Sequence, residues 1–220
     1  MNKAKLTAIC HKIAREKGIT FNTALTYYFL ESILGKIAVS DYKRNFIFKG
    51  GFLLSNIIGL ESRTTSDMDF IIEQLEMDKE VLVDILQKIL IDDLILYHIG
   101  KISDIKDDDP YGGYRISIIC QLENIRQTIP LGDPITPKSV NYSYKSLFAE
   151  TRYPILAYNT ETILVEKIET MYRRSFFNSR SKDFYDIYIL YTLDSSRLNF
   201  ERLKQACINT FDYRKTPFDL

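Results

Sequence analysis

Phe48-Lys49-Gly50-Gly51-Phe52-Leu53-Leu54-Ser55, followed by Arg63-Thr64-Thr65-Ser66-Asp67-Met68-Asp69-Phe70, is the stretch that decides how this chain is built. A short β-rich run at 45–49 meets two glycines, and the apolar residues 52–60 then fit a buried helix with Gly59 near its end. Residues 67–72 alternate polar and apolar before turning wholly apolar, as a half-buried strand does. Strand, glycine pair, helix and strand form one unit whose ends converge. Glycines at that junction let backbone N–H groups approach a phosphate with no Cβ in the way, and the new helix adds its partial positive charge. Alternation puts Asp67 and Asp69 on one strand face, where two carboxylates can share hard divalent cations. Separately, Gly-Gly is an ordinary turn and Asp-x-Asp an ordinary solvated pair. Together they suit nucleotidyl transfer, in which metal ions neutralise charge on a triphosphate.

Working outward, Leu6, Ile9 and Ile13 recur at helical spacing up to Gly18, and a second helix, capped by Asn22 or Thr23, carries Leu25, Tyr28, Phe29, Ile33 and Ile37. Val81, Leu82, Ile85, Leu86 and Ile89 predict an amphipathic helix over 78–91. Strands are expected at 95–99, 114–122, 125–130 and 153–158, with a turn at Leu131-Gly-Asp-Pro. Beyond Asn159 the pattern is helical, at 160–172, 182–194 and 199–210. The expected architecture is α+β: residues 1–158 form a catalytic domain with N-terminal helices, and 159–220 form a helical C-terminal lobe.

Composition narrows the chemistry. Lysine plus arginine total 29, as do aspartate plus glutamate, so no chain-wide basic footprint for nucleic acid exists, although a local one remains open. Cys10, Cys120 and Cys207 lack metal-finger spacing and suit reduced thiols; His11, next to Cys10, and His98 stand far from each other. A zinc site and a histidine-based triad are therefore unsupported, which leaves carboxylates, lysines and hydroxyls. The first fifteen residues contain no secretory apolar core, and no run approaches the roughly 18 apolar residues of a membrane span. A cytoplasmic protein without membrane contact is expected.

Further motifs lie downstream in a fixed order. They are Gly132-Asp133-Pro134-Ile135-Thr136-Pro137, then Ala157-Tyr158-Asn159 with Glu161-Thr162-Ile163-Leu164-Val165-Glu166-Lys167, then Arg180-Ser181-Lys182-Asp183-Phe184-Tyr185-Asp186. With Lys-Gly-Gly-x-x-Leu and Arg-x-Thr-x-Asp-x-Asp-Phe, this series resembles the AbiEii-type nucleotidyltransferases, the toxins of bacterial abortive-infection (type IV) toxin–antitoxin systems used in phage defence. The matching elements run from about Phe46 to Leu190.

The resemblance implies a DNA polymerase β-like nucleotidyltransferase core. It implies a nucleoside triphosphate substrate, GTP or a pyrimidine triphosphate, with Mg²⁺ or Mn²⁺ as cofactor. The acceptor it implies is RNA such as tRNA, and the genetic partner a cognate antitoxin. By matching positions, Asp67 and Asp69 hold metal and Gly50 and Gly51 hold phosphate. Lys167 pairs with the triphosphate, and Asp183 or Asp186 completes the site. Lys49, Ser55, Arg63, Thr65, Ser66 and Arg180 are the further nucleotide-binding candidates. Independently, lysine is a sound point-charge partner for phosphate, though a helical lysine equally pairs with Glu166 or Glu169. Asp183 also suits a helix first turn, whereas Asp186, in mid-helix, needs a polar partner if it faces inward.

One position departs from the family. Relatives carry a third acid on the strand before the Gly-Asp-x-Ile-Thr-Pro turn, where this chain has Thr128. Threonine is no general base and a poor metal ligand. A two-acid site, substitution by Glu123 or Asp133, and a weakened enzyme that binds nucleotide without transferring it all remain open. Tyr111, Tyr114, Arg115, Arg126 and Tyr172-Arg173-Arg174 are candidate RNA contacts, against the plainer reading of boundary tyrosines with wet hydroxyls.

Overall fold

Phe46, Ile47, Phe48 and Lys49 are all buried, so β1 (Phe46–Lys49) runs through the interior, as its apolar run Phe46-Ile47-Phe48 requires. The computed structural model describes residues 1–75, 78–104, 114–132, 139–174, 181–194 and 198–217, without the side chains of Leu193 and Asp194. Arg180, Tyr111 and the turn residues 133–138, Asp133 included, lie outside them. Among the described residues are seven α-helices and one seven-stranded mixed sheet.

Two N-terminal helices lead in, α1 (Lys3–Lys17) and α2 (Phe21–Val39). The cap of α2 is Thr20, which accepts from the Thr23 N–H at 3.0 Å, and not Asn22 or Thr23. Twelve of the nineteen residues of α2 are buried, spread around its circumference, which marks it as an interior helix. After β1, α3 (Gly50–Ile58) begins at the first glycine and so takes both glycines into its first turn. Then come β2 (Met68–Ile72), α4 (Lys79–Ile89, capped by Asp78), β3 (Leu96–Asp104), β4 (Tyr114–Leu122), β5 (Ile125–Gly132), β6 (Val140–Lys145) and β7 (Arg152–Ala157).

The sheet order is β3-β4-β5-β2-β1-β7-β6. β1 lies antiparallel to β2 and parallel to β7, and β2 lies parallel to β5. The glycine-bearing strand and the aspartate-bearing strand are thus central neighbours. Rings lock that centre. Phe48 meets Phe52 at 5.4 Å and Phe70 at 5.6 Å between centroids, and Tyr144 meets Phe52 at 5.2 Å. Truncating such a ring costs roughly 3–5 kcal/mol, so β1, β2 and the start of α3 are held as one block.

The described residues divide into two compact units. One comprises residues 1–157 apart from 139 and 140; the other comprises 139, 140 and everything from Tyr158 onward. The second is built from α5 (Thr160–Arg174), α6 (Ser181–Asp194) and α7 (Phe200–Tyr213). Asn159 caps α5 by accepting from the Thr162 N–H at 2.7 Å. Val165, Ala206 and Phe211 form the unit's apolar centre, with Ile168, Leu203 and Cys207 packed against it. No helix among the described residues is long and apolar enough to cross a membrane.

Candidate functional site

In the first unit the site grows from the register of two strands. Lys49 and Asp69 are direct partners across the antiparallel pair β1–β2, so the Asp69 carboxylate stands beside the residue that follows Lys49. That residue is Gly50, with φ +74°, and a Cβ there would collide with the Asp69 carboxylate. A Cβ on Gly51 would lie 3.1 Å from the Thr65 hydroxyl and 3.4 Å from an Arg63 guanidinium nitrogen. The glycine pair, Arg63, Thr65 and Asp69 therefore gather at one end of β1, as the spacing required. The first N–H groups of α3 lack intrahelical partners there.

Asp67 lies one residue before β2 instead of within it, half-buried, and accepts a short hydrogen bond from the Thr65 hydroxyl. The segment leading to it is anchored from α2: the Thr65 N–H donates to the buried Tyr27 hydroxyl at 3.1 Å. Burial raises the Tyr27 pKa above its ordinary value, and the hydrogen bonds from Ser55 and Thr65 oppose that shift. Tyr27 is a positioning residue that sequence reasoning missed; one of two adjacent tyrosines in an apolar helix carries no signal of its own. Ser55 is buried and donates to the Phe52 carbonyl at 2.8 Å, so it steadies the first turns of α3. Arg63 donates to the Thr64 carbonyl, Lys49 is buried at the end of β1, and Ser66 is exposed.

Thr128 occupies the sheet face of the expected third acid. Asp69 pairs with Gly132 on β5, and Thr128 alternates onto the same side as Gly132. Extending that register by one step sets Asp67 against Pro130, two residues and about 7 Å along the strand from Thr128. Glu123 does not substitute. It sits in the β4–β5 turn, at the opposite end of β5 from Gly132, and accepts from the Lys3 N–H at 2.9 Å. No group of three metal-ligating side chains occurs among the described residues. Two half-buried carboxylates, Asp67 and Asp69, beside the glycine pair are oxygen donors of the kind a divalent cation takes, with fewer protein ligands than three acids supply.

In the second unit Lys167 on α5 reaches two acids of α6, Asp186 at 2.6 Å and Asp183 at 3.2 Å. Both aspartates are buried and the lysine side chain is only 18% exposed. Lys167 is therefore not the exposed partner of Glu166 or Glu169. Those glutamates pair with Arg214, and Glu169 also accepts from Arg173 at 3.1 Å and from the Thr216 hydroxyl at 2.6 Å. Asp183 does lie in the first turn of α6, so its helix-terminal role and its ion pair coexist. Among the RNA candidates, Tyr172 is 56% exposed and Arg173 is engaged with Glu169.

Solved structures share this architecture. JHP933 from Helicobacter pylori superimposes with a TM-score of 0.54 at 15% identity, over 88% of this chain and 75% of that one. A second H. pylori structure, described as a candidate nucleotidyltransferase, gives 0.54 and 15% over 91% and 89%. At that identity the likeness is one of fold. No curated protein sequence matches the chain. The family model for the nucleotidyl transferase AbiEii toxin of type IV toxin–antitoxin systems matches residues 32–220, and the chain belongs to that family.

Proposed function

We propose that the chain is a metal-dependent nucleotidyltransferase, the toxin of its system, with a polymerase β-like core acting in the cytoplasm. It moves a nucleotide from a nucleoside triphosphate to an acceptor of the RNA class, tRNA being the expected kind. The observation that carries this reading is the meeting of Gly50, Gly51, Asp67 and Asp69 at one sheet end, where any side chain on Gly50 would displace Asp69. In this reading Asp67 and Asp69 hold Mg²⁺ or Mn²⁺, which when bound screens triphosphate charge and favours attack by the acceptor oxygen. The N–H groups at the start of α3 receive phosphate, with Arg63 and Thr65 alongside. Lys167, fixed by Asp183 and Asp186, supplies a positioned ammonium for the triphosphate.

Expression in a bacterium tests the toxin reading: wild type arrests growth and Asp67→Ala/Asp69→Ala does not. Equal growth of the two would count against it. The second reading, a nucleotide-binding module without transfer, is favoured by Thr128 standing where an acid is expected. Calorimetry showing metal-dependent triphosphate binding, with no turnover across all four nucleotides and total RNA, would select it.

A further inference from the structure

A cavity lies in the unit that carries Asp67 and Asp69, against α2. Its volume is about 350 Å³, in the range of small-molecule sites. Four rings line it, Tyr28, Tyr97, Phe148 and Tyr153, with Tyr28 and Phe148 edge to face at 5.3 Å. Two carboxylates, Glu31 and Asp92, face the same space. Asp92 is neutralised by Lys36, 2.6 Å away. Glu31 is not: it is 3% exposed, and no cation among the described residues lies within ion-pair distance of it. Its neighbours are neutral donors, the Tyr144 hydroxyl at 3.0 Å, the Ser146 hydroxyl at 2.5 Å and the Leu147 N–H at 2.8 Å.

The Tyr97 hydroxyl in the wall is buried and makes no hydrogen bond of normal length and angle among the described residues, although the Ser32 side chain lies close enough to act on it. Ser32, beside it, donates instead to the Phe29 carbonyl at 2.7 Å. Gly35 keeps the opposite wall close, since a Cβ there would come within 3.1 Å of the Tyr153 ring. A cavity with aromatic faces, an uncompensated buried carboxylate and a buried hydroxyl acceptor is complementary to a positively charged N–H donor on a small carbon frame. An inorganic cation would leave the ring faces unused, and an anion would meet Glu31.

We propose that this cavity is a binding site for a small free organic cation of the alkylamine or guanidine class. The ammonium or guanidinium donates to Glu31 and Tyr97 while its carbon chain packs on Tyr28, Phe148 and Tyr153. Glu31 lies one helical turn after Tyr27, the α2 residue that anchors Thr65, so the ligand would rest on the helix that also holds the aspartate loop. The site is separate from nucleotide chemistry and is read without nucleotide.

Calorimetric titration of the full chain at about pH 8, above the value near 7 to which burial lifts the Glu31 carboxyl, with butylammonium, putrescine and agmatine, and with butanol as the neutral isostere, tests this. Saturable one-to-one binding of the cations, absent with butanol, is the expected result. Glu31→Gln weakens it by about tenfold or more, as loss of a charge-assisted hydrogen bond does. Because Glu31 also supports the 146–149 turn, Tyr97→Phe serves as the second variant; it deletes a single oxygen and weakens binding several-fold. No saturable heat, equal binding of butanol, or unchanged affinity in Tyr97→Phe and a folded Glu31→Gln would overturn the proposal.

Discussion

The Asp69 carboxylate occupies the space into which a side chain on Gly50 would project, because Lys49 and Asp69 are register partners across β1 and β2. Gly50→Ala therefore imposes two penalties: an alanine at φ +74°, worth about 1–2 kcal/mol, and displacement of the acid proposed to bind metal. Gly18, at φ +65° with open space for 4 Å around the position a Cβ would take, is the control. Both variants bear the backbone penalty, Gly50→Ala loses more thermal stability because of the added clash with Asp69, and only Gly50→Ala loses transfer, by about a hundredfold or more. Steady-state rates beside thermal melts measure this, and equal activity in the two variants would contradict it.

Lys167 bridges two buried aspartates, so removing its charge takes an ion pair from each. Lys167→Met is expected to cost about 3–5 kcal/mol in urea unfolding, and adding Asp183→Asn and Asp186→Asn recovers part of that loss. A loss below about 1 kcal/mol, the range of surface pairs, would mean that the cluster is solvated.

Glu31 makes stability depend on pH. Burial lifts its carboxyl from 4.5 to about 7, against the opposing hydrogen bonds from Ser146, Leu147, Tyr144 and Phe148. The folded state then holds a proton that the unfolded chain releases near 4.5. Its contribution is full below that value and is lost as pH rises through about 7, about 3 kcal/mol in all. Urea midpoints across that window should fall with rising pH in the wild type, and this component should vanish in Glu31→Gln. Parallel profiles for the two would show that Glu31 is not the titrating group.

Thr128 shares the sheet face of Asp69, within about 7 Å along β5 of the position opposite Asp67. Thr128→Asp should tighten Mn²⁺ binding by about tenfold, the weight of one added carboxylate in a partly solvated site. Titration followed by electron paramagnetic resonance reads this directly. Unchanged affinity would place Thr128 beyond reach of the metal.

Much of this was legible from residue order. Two glycines between an apolar run and an Asp-x-Asp strand allow few arrangements, and Lys167, Asp183 and Asp186 came together as their helical spacing permitted. Other features depend on contacts that no local pattern encodes. β6 alternates Val140, Tyr142 and Tyr144 with Asn141, Ser143 and Lys145, but six residues are a short run, and its place beside β7 comes from the sheet. Tyr27 and Glu31 sit on a helix buried around its circumference, where one polar residue looks like any other until its partner from a distant segment arrives. The α2 cap moved to Thr20 because Asn22 and Thr23 are already helical. Glu123 stands close to Thr128 in sequence, yet a strand eight residues long carries it to the far end of β5.

The most direct measurement is transfer of label from an α-³²P nucleoside triphosphate to bacterial RNA by the purified chain, with Mg²⁺ or Mn²⁺ and with chelator. The expected result is metal-dependent labelling by the wild type, abolished in a folded Asp67→Asn/Asp69→Asn variant. Labelling that survives in that variant, or that proceeds undiminished in chelator, would contradict the assignment of the two aspartates as the metal-binding centre.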